Sequence, residues 1–211
     1  MRLQLAEGAS QIGLELSEAR CDTLLDYAAL IRKWNQTHNL TTIDDPAKML
    51  THHLLASHSI ARFVVGDRCL DIGSGAGLPG MVMALANPEQ QWTLVESRTK
   101  KASFLREAKT RCKAKNVTVI AARVEDYRPP ANFDTLASRA VSTVSDLISM
   151  TGHLHHPSLR LISMKGIYPE EELSALTPRQ REMTEVFPVE VPGLDAHRHI
   201  VVVTEVLEKQ S

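Results

Sequence analysis

The chain has 211 residues, 43% of them hydrophobic, with 24 basic against 25 acidic side chains and a formal net charge of −1. That length holds one domain with a sizeable core and a modest extension, and the balanced charge leaves no global nucleic-acid footprint. No apolar run approaches the roughly eighteen residues of a membrane span, residues 1–7 lack a signal-peptide core, and the odd set Cys21, Cys69 and Cys112 suits a reducing cytoplasm.

Residues 1–62 read as helices. Ser17 can cap a helix that carries Cys21, Leu24, Leu25, Ala28 and Ile31 on one face. Asp45-Pro46 marks a second start, followed by Met49, Leu50, His53 and Leu54. These segments are expected to form a cap packed on a sheet domain of residues 63–211. From about residue 68 strands and helices alternate. Expected strands are Cys69–Ile72, Trp92–Glu96, Val117–Ala121, Phe133–Ser138, Leu159–Met164, Thr184–Val191 and His199–Val206, with helices at about 78–86, 99–114, 142–154 and 169–176. Such alternation predicts an α/β fold with a doubly wound, mostly parallel sheet. The turn Pro192-Gly193-Leu194-Asp195 is too short for a crossover, so the last two strands should pair antiparallel. That addition is common in methyltransferases and unusual in dinucleotide folds.

The most informative stretch is Asp71-Ile72-Gly73-Ser74-Gly75-Ala76-Gly77-Leu78-Pro79-Gly80. Alternate glycines permit a sharp turn and close approach of a ligand to bare backbone, and a helix N-terminus follows. Read from Gly75, the run satisfies the dinucleotide pattern G-x-G-x-x-G, with Gly80 serving close helix–strand packing. Read from Asp71, it is the acid-x-Gly-x-Gly-x-Gly loop of Rossmann-like methyltransferases that use S-adenosylmethionine. The second reading also employs Asp71 and Gly73. Glu96 lies nineteen residues after Gly77, the spacing of an acid at the tip of the next parallel strand. Its carboxylate can accept hydrogen bonds from ribose hydroxyls, which both cofactors possess.

Between Arg98 and Lys115 eight basic residues, Lys100 and Lys101 among them, face one acid, Glu107. This helix could track phosphates or present an ordinary solvated face over inward Ala102, Leu105 and Ala108. The nine histidines fall in no zinc spacing, and no cysteine joins them; no metal site is assigned.

Lys33-Trp34-Asn35, Asn39-Leu40-Thr41, the glycine loop with its Leu78-Pro79-Gly80 extension, Ser138-Arg139-Ala140, Lys165-Gly166 and Arg198-His199 occur in this order. Together they resemble the bacterial RsmG (GidB) family of small-subunit ribosomal RNA methyltransferases, over about residues 20–204. The resemblance implies a Rossmann-like class I methyltransferase sheet. It also implies transfer of a methyl group from S-adenosylmethionine to N7 of one guanine in 16S ribosomal RNA, conventionally numbered 527, free or in the small subunit. By the family's pattern Gly73 and Leu78 of the loop, Glu96, Val124-Glu125 flanking adenine, and Arg139 would hold the cofactor. Glu96 stands where Asp is common, and Val124 replaces a small or acidic residue. Ala56 stands where an acid is frequent, so the segment from His53 to Ser57 receives no role.

Guanine N7 already presents a lone pair, so in-line displacement needs positioning rather than a base. The chain accordingly has no Asn-Pro-Pro-Tyr motif after the fourth strand and no Pro-Cys pair. Arg139 could orient the methionine carboxylate or the target base, or pair structurally with an acid such as Glu125. Arg123 and Lys165, just past strand ends, and Arg198 could touch RNA or form surface ion pairs. A nicotinamide-dependent oxidoreductase and a catalytically silent RNA-binding module are the alternatives. The first leaves Ser-Arg-Ala and Lys-Gly unexplained, and the intact loop and Glu96 argue against the second.

Overall fold

The computed structural model describes residues 1–204. Helix α1 (Arg2–Gln11) precedes the long α2 (Glu18–His38), whose first turn is capped by Ser17 Oγ accepting from Arg20 N–H. Asp45 caps α3 (Pro46–Met49) with its carboxylate on Lys48 N–H at 2.8 Å. The helix then widens into a π-helical turn, Leu50–Leu55, before α4 (Ala56–His58). β1 (Arg68–Ile72), α5 (Gly80–Ala86), β2 (Gln91–Val95), α6 (Thr99–Arg111) and β3 (Val117–Ile120) form the first half of the sheet domain. β4 (Thr135–Arg139), α7 (Val144–Met150), β5 (Arg160–Lys165), α8 (Glu170–Ser174), α9 (Pro178–Glu182), β6 (Thr184–Val189) and β7 (Arg198–Val203) complete it.

The seven strands run in the order β3-β2-β1-β4-β5-β7-β6, the first five parallel and β7 antiparallel to both its neighbours. A plain dinucleotide sheet continues in parallel beyond its fifth strand; here β7 intervenes. Its reversed direction brings its first residues, Arg198 and His199, to the edge where β4 and β5 end, with His199 opposite Lys165.

Alternation along the strands divides the core. Cys69, Trp92, Leu94, Ala137 and Ile162 face α5, α6 and the N-terminal helices in one continuous apolar cluster. Leu70, Ile72, Val95, Leu136 and Leu161 face α7 and α8. Each fully buried large side chain stabilises the fold by about 1.5–3 kcal/mol. Phe104 on α6 joins the layers, with Tyr27 and Trp34 of α2 at ring centroid distances of 6.3 and 5.5 Å.

Several boundaries depart from the sequence expectation. The helix expected at 78–86 begins at Gly80, because Gly77 and Leu78 N–H turn back onto Ser74 O. β4 starts at Thr135 rather than Phe133, since Asp134 turns its carboxylate to the amides of Asp67 and Arg68. β5 reaches Lys165, which therefore lies within a strand end and not past it. The helix expected at 142–154 stops at Met150. There Thr151 Oγ1 donates to Leu147 O at 2.7 Å and a 3-10 turn follows. Helix α9 was not expected, although Thr177 and Gln180 form a reciprocal capping box at its start. β6 ends two residues before the expected Val191. Of the strand expected to Val206, residues 205–206 lie outside the described residues.

Candidate cofactor loop and substrate edge

The glycine loop leaves β1 and is tied down on three sides. Ser74 N–H donates to Val95 O of β2 at 3.1 Å, and Ser74 Oγ donates to Asp71 O at 2.9 Å. Tyr27 of α2 donates its hydroxyl to Ala76 O, so the N-terminal cap buttresses the loop directly. Gly77 adopts φ +76, and a Cβ there would stand 2.8 Å from Met81 Cβ. No side chain can occupy that turn without displacing α5. A Cβ on Gly80 would stand 2.6 Å from Asp71 Cβ and 2.5 Å from Leu94 Cδ2. Its role is thus close helix–strand packing.

Asp71 is fully buried beneath the loop rather than facing outward. Its Oδ2 accepts from Gly80 N–H at 3.0 Å. Burial pushes its carboxyl up to about 7, against the lowering effects of Gly80 and Ser74. Asp71 thereby holds the start of α5. Leu78 N–H is engaged by Ser74 O and its side chain packs in the core.

Glu96, 5% exposed, bridges two segments. Its Oε2 accepts from Gly75 N–H at 2.8 Å and its Oε1 from Arg98 N–H at 2.7 Å. Two of about four lone-pair directions remain for ribose hydroxyls. Over Gly75, at φ +57, a Cβ would have, among the described residues, only Gly73 O and Lys101 Nζ within 4 Å, at 3.8 and 3.9 Å. The loop is therefore open above Gly75, as a cradle for S-adenosylmethionine requires. A carboxylate stands at its rim, and Lys101 leans over it. The Lys101 ammonium thus lies on the side of the glycine loop. Val124-Glu125 forms a 3-10 turn after β3, with Val124 buried and Glu125 exposed. Arg123 precedes that turn and is exposed, as is Lys100. Ala102, Phe104, Leu105 and Ala108 bury the inner face of α6, leaving its cations outward.

At the carboxyl ends of β4 and β5 a second cluster gathers. A cavity of about 230 Å³ is lined by His52, Arg139, Lys165, Arg198 and His199 among others, and by no residue of the glycine loop. Lys165 is not free there. Its ammonium donates to Glu172 at 2.7 Å and to Ser142 O at 2.9 Å, and the same Glu172 oxygen accepts from Val144 N–H. Of the two readings the sequence leaves open for Lys165, the structure contains the ion pair, here an internal one that anchors α7. Glu172 was not anticipated; in the sequence it is one of three consecutive glutamates with nothing to single it out. Arg139 makes no pair with Glu125. Its Nη2 lies 3.4 Å from His53 Nδ1, and its Nη1 is buried without a partner among the described residues. Arg198, half-buried, donates to its neighbour's carbonyl, His197 O, at 2.7 Å. Among the described residues no group of three His, Cys, Asp or Glu side chains could hold a metal ion, and no helix is long and apolar enough to cross a membrane.

The architecture has counterparts of known structure. The S-adenosylmethionine-dependent methyltransferase SibL superposes with a TM-score of 0.57 at 16% identity, covering 75% of this chain and 56% of that one. The precorrin-6y C5,15-methyltransferase of Geobacter metallireducens gives 0.52 at 13% identity, covering 80% and 92%. At such identities the likeness establishes the fold alone, a class I methyltransferase sheet. Sequence relatives carry more. A ribosomal RNA small subunit methyltransferase G from Chromobacterium violaceum is 44% identical over 199 residues, 94% of this chain and 95% of that protein. One from Coxiella burnetii is 43% identical over 202 residues, 95% and 97% respectively. The family model for GidB, rRNA small subunit methyltransferase G, matches residues 20–201. This chain, with its methyltransferase sheet and open glycine cradle, therefore belongs to the GidB family of small-subunit ribosomal RNA methyltransferases.

Proposed function

We propose that this protein transfers a methyl group from S-adenosylmethionine to N7 of a guanine in 16S ribosomal RNA, conventionally position 527, in the cytoplasm. The observation that carries the reading is the glycine cradle with Glu96 at its rim, in a chain of this family. Bound S-adenosylmethionine supplies a methyl carbon on a cationic sulfur. Glu96 accepts the ribose hydroxyls with its unused lone pairs, and Gly73 and Gly75 let the ligand lie against bare backbone. The Val124-Glu125 turn flanks the adenine. Guanine N7 offers its lone pair without a proton, so the chain's task is to hold and orient. Arg139 orients the target nucleotide rather than the methionine carboxylate. In support, the cavity it lines contains Arg198 and His199 but no residue of the glycine loop. Methylation leaves a positive charge on the base, which the guanidinium then repels; Arg139 thus serves approach more than product retention.

Incubating the purified protein with S-adenosylmethionine and 16S ribosomal RNA, then mapping the modified nucleotide by mass, tests this directly. One N7-methylguanine at a single position is expected. Methyl groups on another base, or none on RNA and on assembled subunits alike, would refute it.

Arg123, Arg198, the outer cations of α6 and Lys113 just beyond it form the proposed path of the RNA backbone. Reversing Lys100, Arg106, Lys109 and Lys113 to Glu should weaken RNA binding and flatten its salt dependence. Each lost phosphate contact lowers the slope of log K against log salt by about 0.7–0.9. Lys101 is left out because it leans over Gly75, so cofactor affinity should hold. If RNA affinity at low salt survives the reversal, the backbone runs elsewhere.

A further inference from the structure

The π-helical turn Leu50–Leu55 interrupts an otherwise regular helix, and such turns gather at functional sites. At its centre His53 is 2% exposed and reaches in two directions. Its Nε2 lies 2.8 Å from Thr41 Oγ1, and its Nδ1 lies 3.4 Å from Arg139 Nη2. The chain of contacts continues outward. Thr41 Oγ1 also accepts from Ile43 N–H at 3.1 Å, and Thr41 N–H donates to Asn35 Oδ1 at 2.9 Å. Asn35 and Thr41 belong to the cap segments that the methyl-transfer chemistry left without a role.

The donor inventory decides the protonation of this chain. A guanidinium only donates, so Nδ1 must be a bare acceptor and Nε2 must carry the hydrogen toward Thr41. Burial and the adjacent Arg139 charge hold His53 at about 4, keeping the ring neutral. No carboxylate pairs with Arg139 among the described residues. A carboxylate at this place would orient the guanidinium and also neutralise it. A neutral imidazole orients it and leaves both its charge and Nη1 for a ligand.

We infer that His53 is a positioning residue: it ties Arg139 to the N-terminal cap through Thr41 and Asn35 as a neutral acceptor, which leaves the guanidinium's charge free for the RNA nucleotide. The inference rests on the role given above to Arg139. Two amide substitutions separate its two contacts. Asn can present an oxygen near the place of Nδ1, whereas Gln can reach Thr41 as Nε2 does and offers Arg139 nothing. Single-turnover methylation should therefore stay near the native rate in His53→Asn. It should fall in His53→Gln by up to about 100-fold, the cost of an ångström-scale misplacement. In an Arg139→Ala background His53→Gln should cost no more than about twofold, because the residue it positions is gone. Equal rates for Asn and Gln, or the same fold-loss in both backgrounds, would overturn the inference while leaving Arg139 in its role. An unchanged rate in folded Arg139→Ala alone would overturn both.

Discussion

Arg139→Ala should lower the single-turnover methylation rate by about 100-fold, the loss expected when one preorganised orienting group is removed, and by the same factor at every pH from 6 to 8. His53, the buried histidine at Arg139, does not titrate in that window. Burial and Arg139 hold His53 at about 4, and burial with lesser charges lowers His52. Burial lowers the Arg139 guanidinium itself, yet arginine stays charged throughout this range. Asp71 is the one group raised to about 7, but it lies beneath the loop with its carboxyl on Gly80 N–H. Its deprotonation would therefore register in stability. A carboxyl raised from 3.8 favours the folded chain below that value, and the contribution fades as the pH climbs through about 7. Rates measured with saturating cofactor and RNA, alongside circular dichroism at each pH, separate the two effects. A limb near the ordinary histidine value that one histidine substitution abolishes would sink the base-free mechanism.

Glu96→Ala should weaken S-adenosylmethionine binding by about 1.5–3 kcal/mol per charged hydrogen bond lost, and the structure enlarges the reason. Besides the ribose contact proposed for it, the carboxylate pins Gly75 and Arg98 through their amides. Removing it leaves the cradle to be ordered at the moment of binding, so both terms fall on the dissociation constant. Glu96→Gln retains one oxygen for Gly75 but turns an NH2 toward Arg98 N–H, two donors facing each other. It should therefore bind more weakly than the native protein and more tightly than the Ala variant. Calorimetric titration measures both. An unchanged dissociation constant in a folded Ala variant would remove Glu96 from the site.

Lys165 and Arg139 show where sequence reading and structure part. Both are cations near strand ends, and along the chain they look alike. Folded, Lys165 is consumed by Glu172, seven residues away but across the β5–α8 connection. Arg139, among the described residues, has its side-chain hydrogen-bond contact with a neutral ring eighty-six residues earlier. Lys101 diverges from Lys100 by one helical step, which turns one ammonium toward Gly75 and the other to solvent.

By itself the sequence determined the alternation of strands and helices, the antiparallel end of the sheet, the glycine loop, and the acid at its rim. Those signals are local: periodicity, the φ demands of glycine, and chain spacing carry them without reference to distant residues. Only the tertiary structure decided which charges remain available. It set Asp71 beneath the loop as a support for α5, closed Lys165 into an ion pair, brought Tyr27 to Ala76 O, and turned His53 onto Arg139. The reason is physical. A polar group's role depends on what desolvates and pairs it, and its partners come from segments that meet only when the sheet, the π-helical turn and the cap are packed together.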